Sequence, residues 1–213
     1  MKNQDQPYHT VRGFGEGEHT VDRSRFIGRA LYVETEEEAA AYIEEVKAEH
    51  YDARHVCYAF RIGRGADTID RSNDDGEPAR TAGLPMWQVL EGRELTDTLV
   101  VVIRYYGGIK LGMGGLARAY REAARIALDE AGVVERFPSE NLTLRVPYGM
   151  HGKVQYLFDE FDGVTVRETE FTDLITLHCK IHRIKVDDLR QRLAALLQEE
   201  PAKVFVEDDS GKA

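Results

Sequence analysis

Two periods of apolar and polar positions divide this chain into recognisable elements. Up to about Gly17 neither period is visible, and these first residues are expected to be loosely attached. From Glu18 to Glu34, Phe26, Gly28, Ala30 and Tyr32 fall on alternate positions, the mark of an extended segment with one face against a core. The period then lengthens. Thr35 to His50 predicts a helix in which Thr35 is the N-cap, Glu38 completes a capping box, and the acidic first turn suits the helix dipole. Ala53–Gly63 predicts a strand with Val56, Tyr58 and Phe60 on one face, followed by a polar loop over Arg64–Pro78. Gly83–Leu95 predicts a short helix, and Leu99–Ile103, all apolar and mostly β-branched, a buried strand. Leu116, Tyr120, Ala123, Ala124 and Ala127 recur at helical spacing, predicting a helix that starts near Leu116 and is closed by Gly132.

A second break at Pro138 marks a domain boundary, dividing the chain into 1–137 and 138–213. The remainder reads as six elements. "NLTLRVP" is a strand. "YGMHGKVQYLFDEF" is a helix with Val154, Leu157, Phe158 and Phe161 on one side. "GVTVRETEF" and "LITLHCKIH" form a hairpin turning at Thr172–Asp173. "KVDDLRQRLAALLQEE" is a helix and "AKVFVED" a final strand. The order βαββαβ is that of ferredoxin-like domains.

The densest chemistry lies in two blocks, "SNDDGEPARTAGLPM" (Ser72–Met86) and "TLVVVIRYYGGIKLGMGGLARAY" (Thr98–Tyr120). In the second, a strand leads through Gly107, Gly108, Gly112, Gly114 and Gly115 into a helix. Such a segment lets backbone approach a ligand closely and turns free N–H groups outward, as anion sites do. Arg104, Tyr105, Tyr106 and Lys110 bracket it, a set that suits phosphate and stacked bases. Strand alternation puts Arg104 and Tyr106 on one face and Tyr105 on the other. In the first block, Asn73, Asp74, Asp75 and Gly76 read as a tight turn whose exit Pro78 stiffens, or else Asp74, Asp75 and Glu77 read as oxygen ligands for Mg²⁺ with His55 as a nearby base.

These blocks, with "RSRFIGRA" (Arg23–Ala30) and "YDARHVCYAFRIG" (Tyr51–Gly63), resemble the signature of the IMPACT family in its bacterial and archaeal YigZ/YvyE branch. The match covers most of residues 20–130 and departs at Arg80, where the family pattern implies a glycine or another small residue. The resemblance implies an α+β protein, with an N-terminal domain like the second domain of ribosomal protein S5 followed by the ferredoxin-like domain. Elongation factor G pairs the same two folds. It also implies a link to translational control through RNA, the ribosome or a ribosome-associated protein. Arg54 and His55 enter as accessory residues because the match includes "ARH". The resemblance supplies no catalytic residue, cofactor or metal.

Composition narrows these readings. A net charge of −10, negative in both halves, argues against a broadly basic nucleic-acid binder, so any phosphate contact needs a local basic patch. Cys57 and Cys179 are far apart and outside any C-x-x-C pattern, which with the lack of a secretory or spanning segment predicts a reduced, cytoplasmic setting. Gly112-x-Gly114-x-x-Ala117 with Glu135 fits a dinucleotide fingerprint in spacing only, because no adequate strand precedes Glu135. His178 and His182 share a strand face about 13 Å apart, too far to ligate one metal without a bend. The main alternative to translation is an enzyme acting on a phosphate-bearing small molecule, with the glycine segment as phosphate site. It lacks a visible activated nucleophile.

Overall fold

A computed structural model of the chain describes residues 5–199 and 204–206. They form two compact units, the chain passing from one to the other between Arg136 and Phe137. The first unit runs β1 (Tyr8–Val11), β2 (Gly15–Val21), β3 (Ser24–Tyr32), α1 (Glu36–Glu49), β4 (His55–Ile62) and β5 (Ile69–Asn73). It continues with α2 (Gly83–Gly92), β6 (Thr98–Tyr105), α3 (Gly112–Ala131) and β7 (Val133–Arg136).

An antiparallel five-stranded sheet, ordered β2-β3-β6-β4-β5, carries α1 on one face and α2 with α3 on the other. This explains the unbroken apolar run in β6, the central strand. Leu99, Val101 and Ile103 face the α1 side while Val100 and Val102 face α2 and α3, so both faces need apolar residues. At the start of α1, the Glu38 N–H donates to the Thr35 hydroxyl, and the Glu38 carboxylate takes the N–H of Glu34 rather than that of the cap itself.

α3 reaches the sheet because both surfaces are stripped to small residues. It presents Ala119, Ala123, Ala127 and Ala131 toward the β2–β3 hairpin, where Gly15 and Gly28 leave the backbone bare. A Cβ on Gly28 would overlap the Ala123 carbonyl, and one on Gly15 the backbone of Ala127 and Ala131.

Four features of this unit differ from the sequence expectation. The first residues are held: β1 pairs antiparallel with β7, Tyr8 opposite Arg136, and Val11 is fully buried. That partner is remote in sequence, so no local period could report it. The extended segment is two strands joined at Asp22 and Arg23, whose φ values of 46° and 63° are those of a tight two-residue hairpin. The expected polar loop contains β5, an edge strand too exposed to show alternation. α3 begins at Gly112, so Gly114 and Gly115 belong to its first turns rather than to a loop.

The second unit contains β8 (Ser139–Val146), α4 (Tyr148–Asp159), β9 (Val164–Phe171), β10 (Ile175–His182), α5 (Val186–Leu197) and β11 (Phe205–Val206). Its antiparallel sheet is ordered β11-β8-β10-β9, the ferredoxin-like arrangement, with Val154, Phe158 and Phe161 packed among Leu144, Leu177 and Leu193. The β9–β10 connection is Thr172–Leu174, one residue longer than expected. Of the predicted last strand, only residues 204–206 lie within the described part. The first unit has the fold of S5 domain 2, so the whole is α+β as the sequence predicts. Among the described residues no helix is long and apolar enough to cross a membrane. His178 contacts Thr143 and Glu170, while His182 stacks on Phe137, so the two histidines are engaged separately.

Candidate functional site

The turn Asn73–Pro78 leaves β5 and folds back over the start of β4. Positive φ at Asp75 (43°) and Gly76 (83°) makes the reversal, and its carboxylates hold it closed. Asp74 accepts the N–H groups of Arg80, Ala82 and Gly83 at 2.7, 2.9 and 2.8 Å, fastening the turn to the start of α2. Asp75 accepts the Val56 N–H at 2.7 Å, and its own N–H donates to the Asn73 side chain. The Asp75 carbonyl lies 2.6 Å from His55 Nδ1. A carbonyl can only accept, so Nδ1 carries the proton. Three of these four carboxylate oxygens, both of Asp74 and Oδ2 of Asp75, thus accept backbone donors within the turn and its neighbours. Among the described residues no group of three His, Cys, Asp or Glu side chains is placed to hold a metal.

Beneath the turn the two blocks meet. Glu77, 8% exposed, accepts from Arg104 Nη1 at 2.5 Å and from the Tyr120 hydroxyl at 2.9 Å. His55 Nε2 stands 3.9 Å from the same carboxylate oxygen, beyond hydrogen-bond range. Arg104, itself 5% exposed, lies between the rings of Phe26 and Tyr106, with its Nε lacking a hydrogen-bond partner among the described residues. The Cys57 thiol reaches the Asp74 carbonyl and the Tyr120 hydroxyl. Burial, with Cys57 and Glu77 alongside, pushes the Tyr120 phenol far above its ordinary range. This is a sealed polar network. It holds turn, sheet and helix together.

The sequence expectation for Arg104 therefore needs correction. It is spent on Glu77 beneath the surface, because the side chain of β6 that follows Val100 and Val102 points inward to α3. Tyr105 leaves the expected cluster as well. It faces the α1 side, with its hydroxyl bound to Asp52 and His50. Arg54 is exposed, and its N–H donates to the Arg104 carbonyl. Arg80 sits at φ 66°, a conformation that glycine adopts without strain, which is the physical content of the small residue expected there.

The remainder of the glycine block is open to solvent. Tyr106, Ile109 and Met113 are 43%, 42% and 63% exposed, and Gly108 and Lys110 lie among them. Gly107 passes directly over Arg23 and Ser24, its N–H donating to the Ser24 hydroxyl. Gly108 and Gly112 use positive φ to turn the chain into α3, whose first turn has neither an acidic residue nor a side-chain cap. A cleft of about 460 Å³ beside it is lined by His19, Val21, Leu111, Gly115, Arg118 and Arg121, among others. Arg121 donates to Gln88, and neither it nor Lys110 or Arg118 makes an ion pair among the described residues. Arg118, Arg121 and Tyr120 were not singled out as site residues from sequence. All three recur on α3, close behind the glycines, and that placement was the available signal.

Both cysteines are buried. Burial pushes the Cys57 thiol upward and that of Cys179 up to about 12. Because the thiolate is the reactive form, Ellman's reagent at pH 8 is expected to titrate neither cysteine in the native protein and both after unfolding. A rapidly reacting native thiol would contradict this packing.

The fold and these two blocks define a class: an S5-like unit with a sealed turn and an open glycine segment, joined to a ferredoxin-like unit. The chain belongs to the IMPACT family. Residues 22–128 match the Impact N-terminal domain, and residues 144–199 match a domain of unknown function, DUF1949. The chain is 46% identical to IMPACT family member YvyE of Bacillus subtilis over 148 residues, 70% of this chain and 68% of that one. It is 35% identical to IMPACT family member YigZ of Escherichia coli over 175 residues, 82% and 85% of the two chains. A crystal structure of a hypothetical protein, 29% identical, superposes with a TM-score of 0.65 over 96% of this chain and 99% of its own.

Proposed function

We propose that this chain is a translation-linked regulatory protein that works in the cytoplasm by binding, and that it contacts RNA or the ribosome through the exposed segment leading into α3. The translational link rests on membership of the IMPACT family. The observation that carries the binding surface is the pair of cations Lys110 and Arg118, free of ion pairs among the described residues, beside exposed Tyr106 at an uncapped helix start. On a chain of net charge −10, phosphate contact requires a local patch of such cations, and Lys110 and Arg118 flank the start of α3. Tyr106 adds a ring on which a base can stack.

Sedimentation with ribosomes across a salt series tests the reading. The Lys110→Ala/Arg118→Ala variant is expected to bind more weakly, and the slope of log K against log salt to fall by about 0.7–0.9 for each phosphate no longer neutralised. An unchanged slope in a folded variant would overturn it. A small phosphate compound in the cleft beside α3 would then be the ligand to try.

A further inference from the structure

Among the described residues β9 is an edge strand, hydrogen-bonded to β10 on one side only. Val164, Val166, Thr169 and Phe171 stand opposite Ile181, Cys179, Leu177 and Ile175, on the core side of the sheet. Thr165, Glu168 and Glu170 stand opposite Lys180, His178 and Thr176, on the other side, and Arg167 is the extra residue at a bulge. Read from either end, the order of faces is the same about the Arg167–Glu168 bond.

That symmetry has a physical use. A second copy of β9 laid antiparallel, with a twofold axis at that bond, would set Val164 against Phe171 and Val166 against Thr169 on the core side. On the outer side it would set Thr165 against Glu170, and Arg167 would face Glu168 twice. No pair crosses from one face to the other, and each face-to-face charge pair is opposite in sign. Charges and bulges on an edge strand usually discourage pairing. Here their placement complements a copy of the same strand. Phe171, 64% exposed, supplies apolar surface at the end of the strand, with the His151 ring against it. Nearby Tyr148, 55% exposed, is anchored through its hydroxyl to the Thr172 carbonyl.

We propose that two copies of this chain associate through β9, joining their ferredoxin-like sheets into one continuous sheet. A twofold, self-complementary contact of this kind is the commonest form of closed association. Sedimentation velocity of the full chain over a range of concentrations is expected to show a monomer–dimer equilibrium. R167E or E168R alone puts like charges opposite each other at two symmetric places, and is expected to weaken the dimer roughly tenfold. The double variant R167E/E168R exchanges the partners and is expected to restore it. Amide hydrogen exchange of the unaltered chain offers a second reading, with protection in residues 164–171 rising with concentration. The proposal is overturned by a monomer at every concentration, by a dimer indifferent to the single reversals, or by a folded double variant that stays monomeric. It is also overturned if protection in β9 does not change with concentration.

Discussion

Glu77→Ala is expected to lower the free energy of unfolding by about 3–5 kcal/mol, the usual consequence of removing one member of a buried ion pair. The size follows from what is left behind. Arg104 would retain a full charge at 5% exposure, with its Nε already lacking a partner, and the Tyr120 hydroxyl would be without its acceptor. Water cannot replace the carboxylate without opening the turn that Asp74 and Asp75 hold shut. The double replacement Glu77→Leu/Arg104→Met should recover most of the stability, since apolar residues of similar volume commonly substitute for a buried pair at little cost. Urea unfolding of the single and double variants gives the comparison. A single-variant effect below about 1 kcal/mol, the range of an exposed pair, would show that the network is open to solvent.

Gly28→Val is expected to reach or exceed the upper end of the usual overpacking cost, about 3 kcal/mol. The obstruction is the Ala123 carbonyl, a backbone group inside a helix that cannot rotate aside as a side chain can. Relief would require α3 to move off the hairpin, breaking its alanine packing along the full length of the stripe. Gly13→Val is the control, because a Cβ there meets nothing within 4 Å, and the change is expected to alter stability by no more than about 0.5 kcal/mol. Equal effects at the two positions, measured by chemical denaturation, would disprove the close seating of α3.

What the sequence could convey depended on whether the signal was local. The apolar run of β6, the Thr35 cap and the six elements of the second unit were legible because each is written in adjacent residues. β5 was not, since an edge strand with exposed faces has no hydrophobic period. β1 was not, since its partner is β7. The glycines before α3 showed correctly that the backbone is unusual there, but Gly114 and Gly115 proved helical, and only Gly108 and Gly112 need positive φ. Arg104 misled for a related reason. An arginine beside glycines reads as a surface ligand until the carboxylate that neutralises it, supplied by the other block, is known. Strand alternation did place Tyr105 and Arg104 on opposite faces, as the structure has them.

The pairing of β1 with β7 also bears on how the first unit is made. Tyr8 lies opposite Arg136, so the beginning and end of this unit are side by side. During synthesis the N-terminal strand must wait, without its partner, until nearly the whole unit has been translated. The β1–β7 pairing is therefore among the least local contacts of the unit. Once closed, the unit is topologically a loop. A short linker from β7 back to β1 would permit a circular permutant, with new ends opened at an exposed turn such as the one near Gly65.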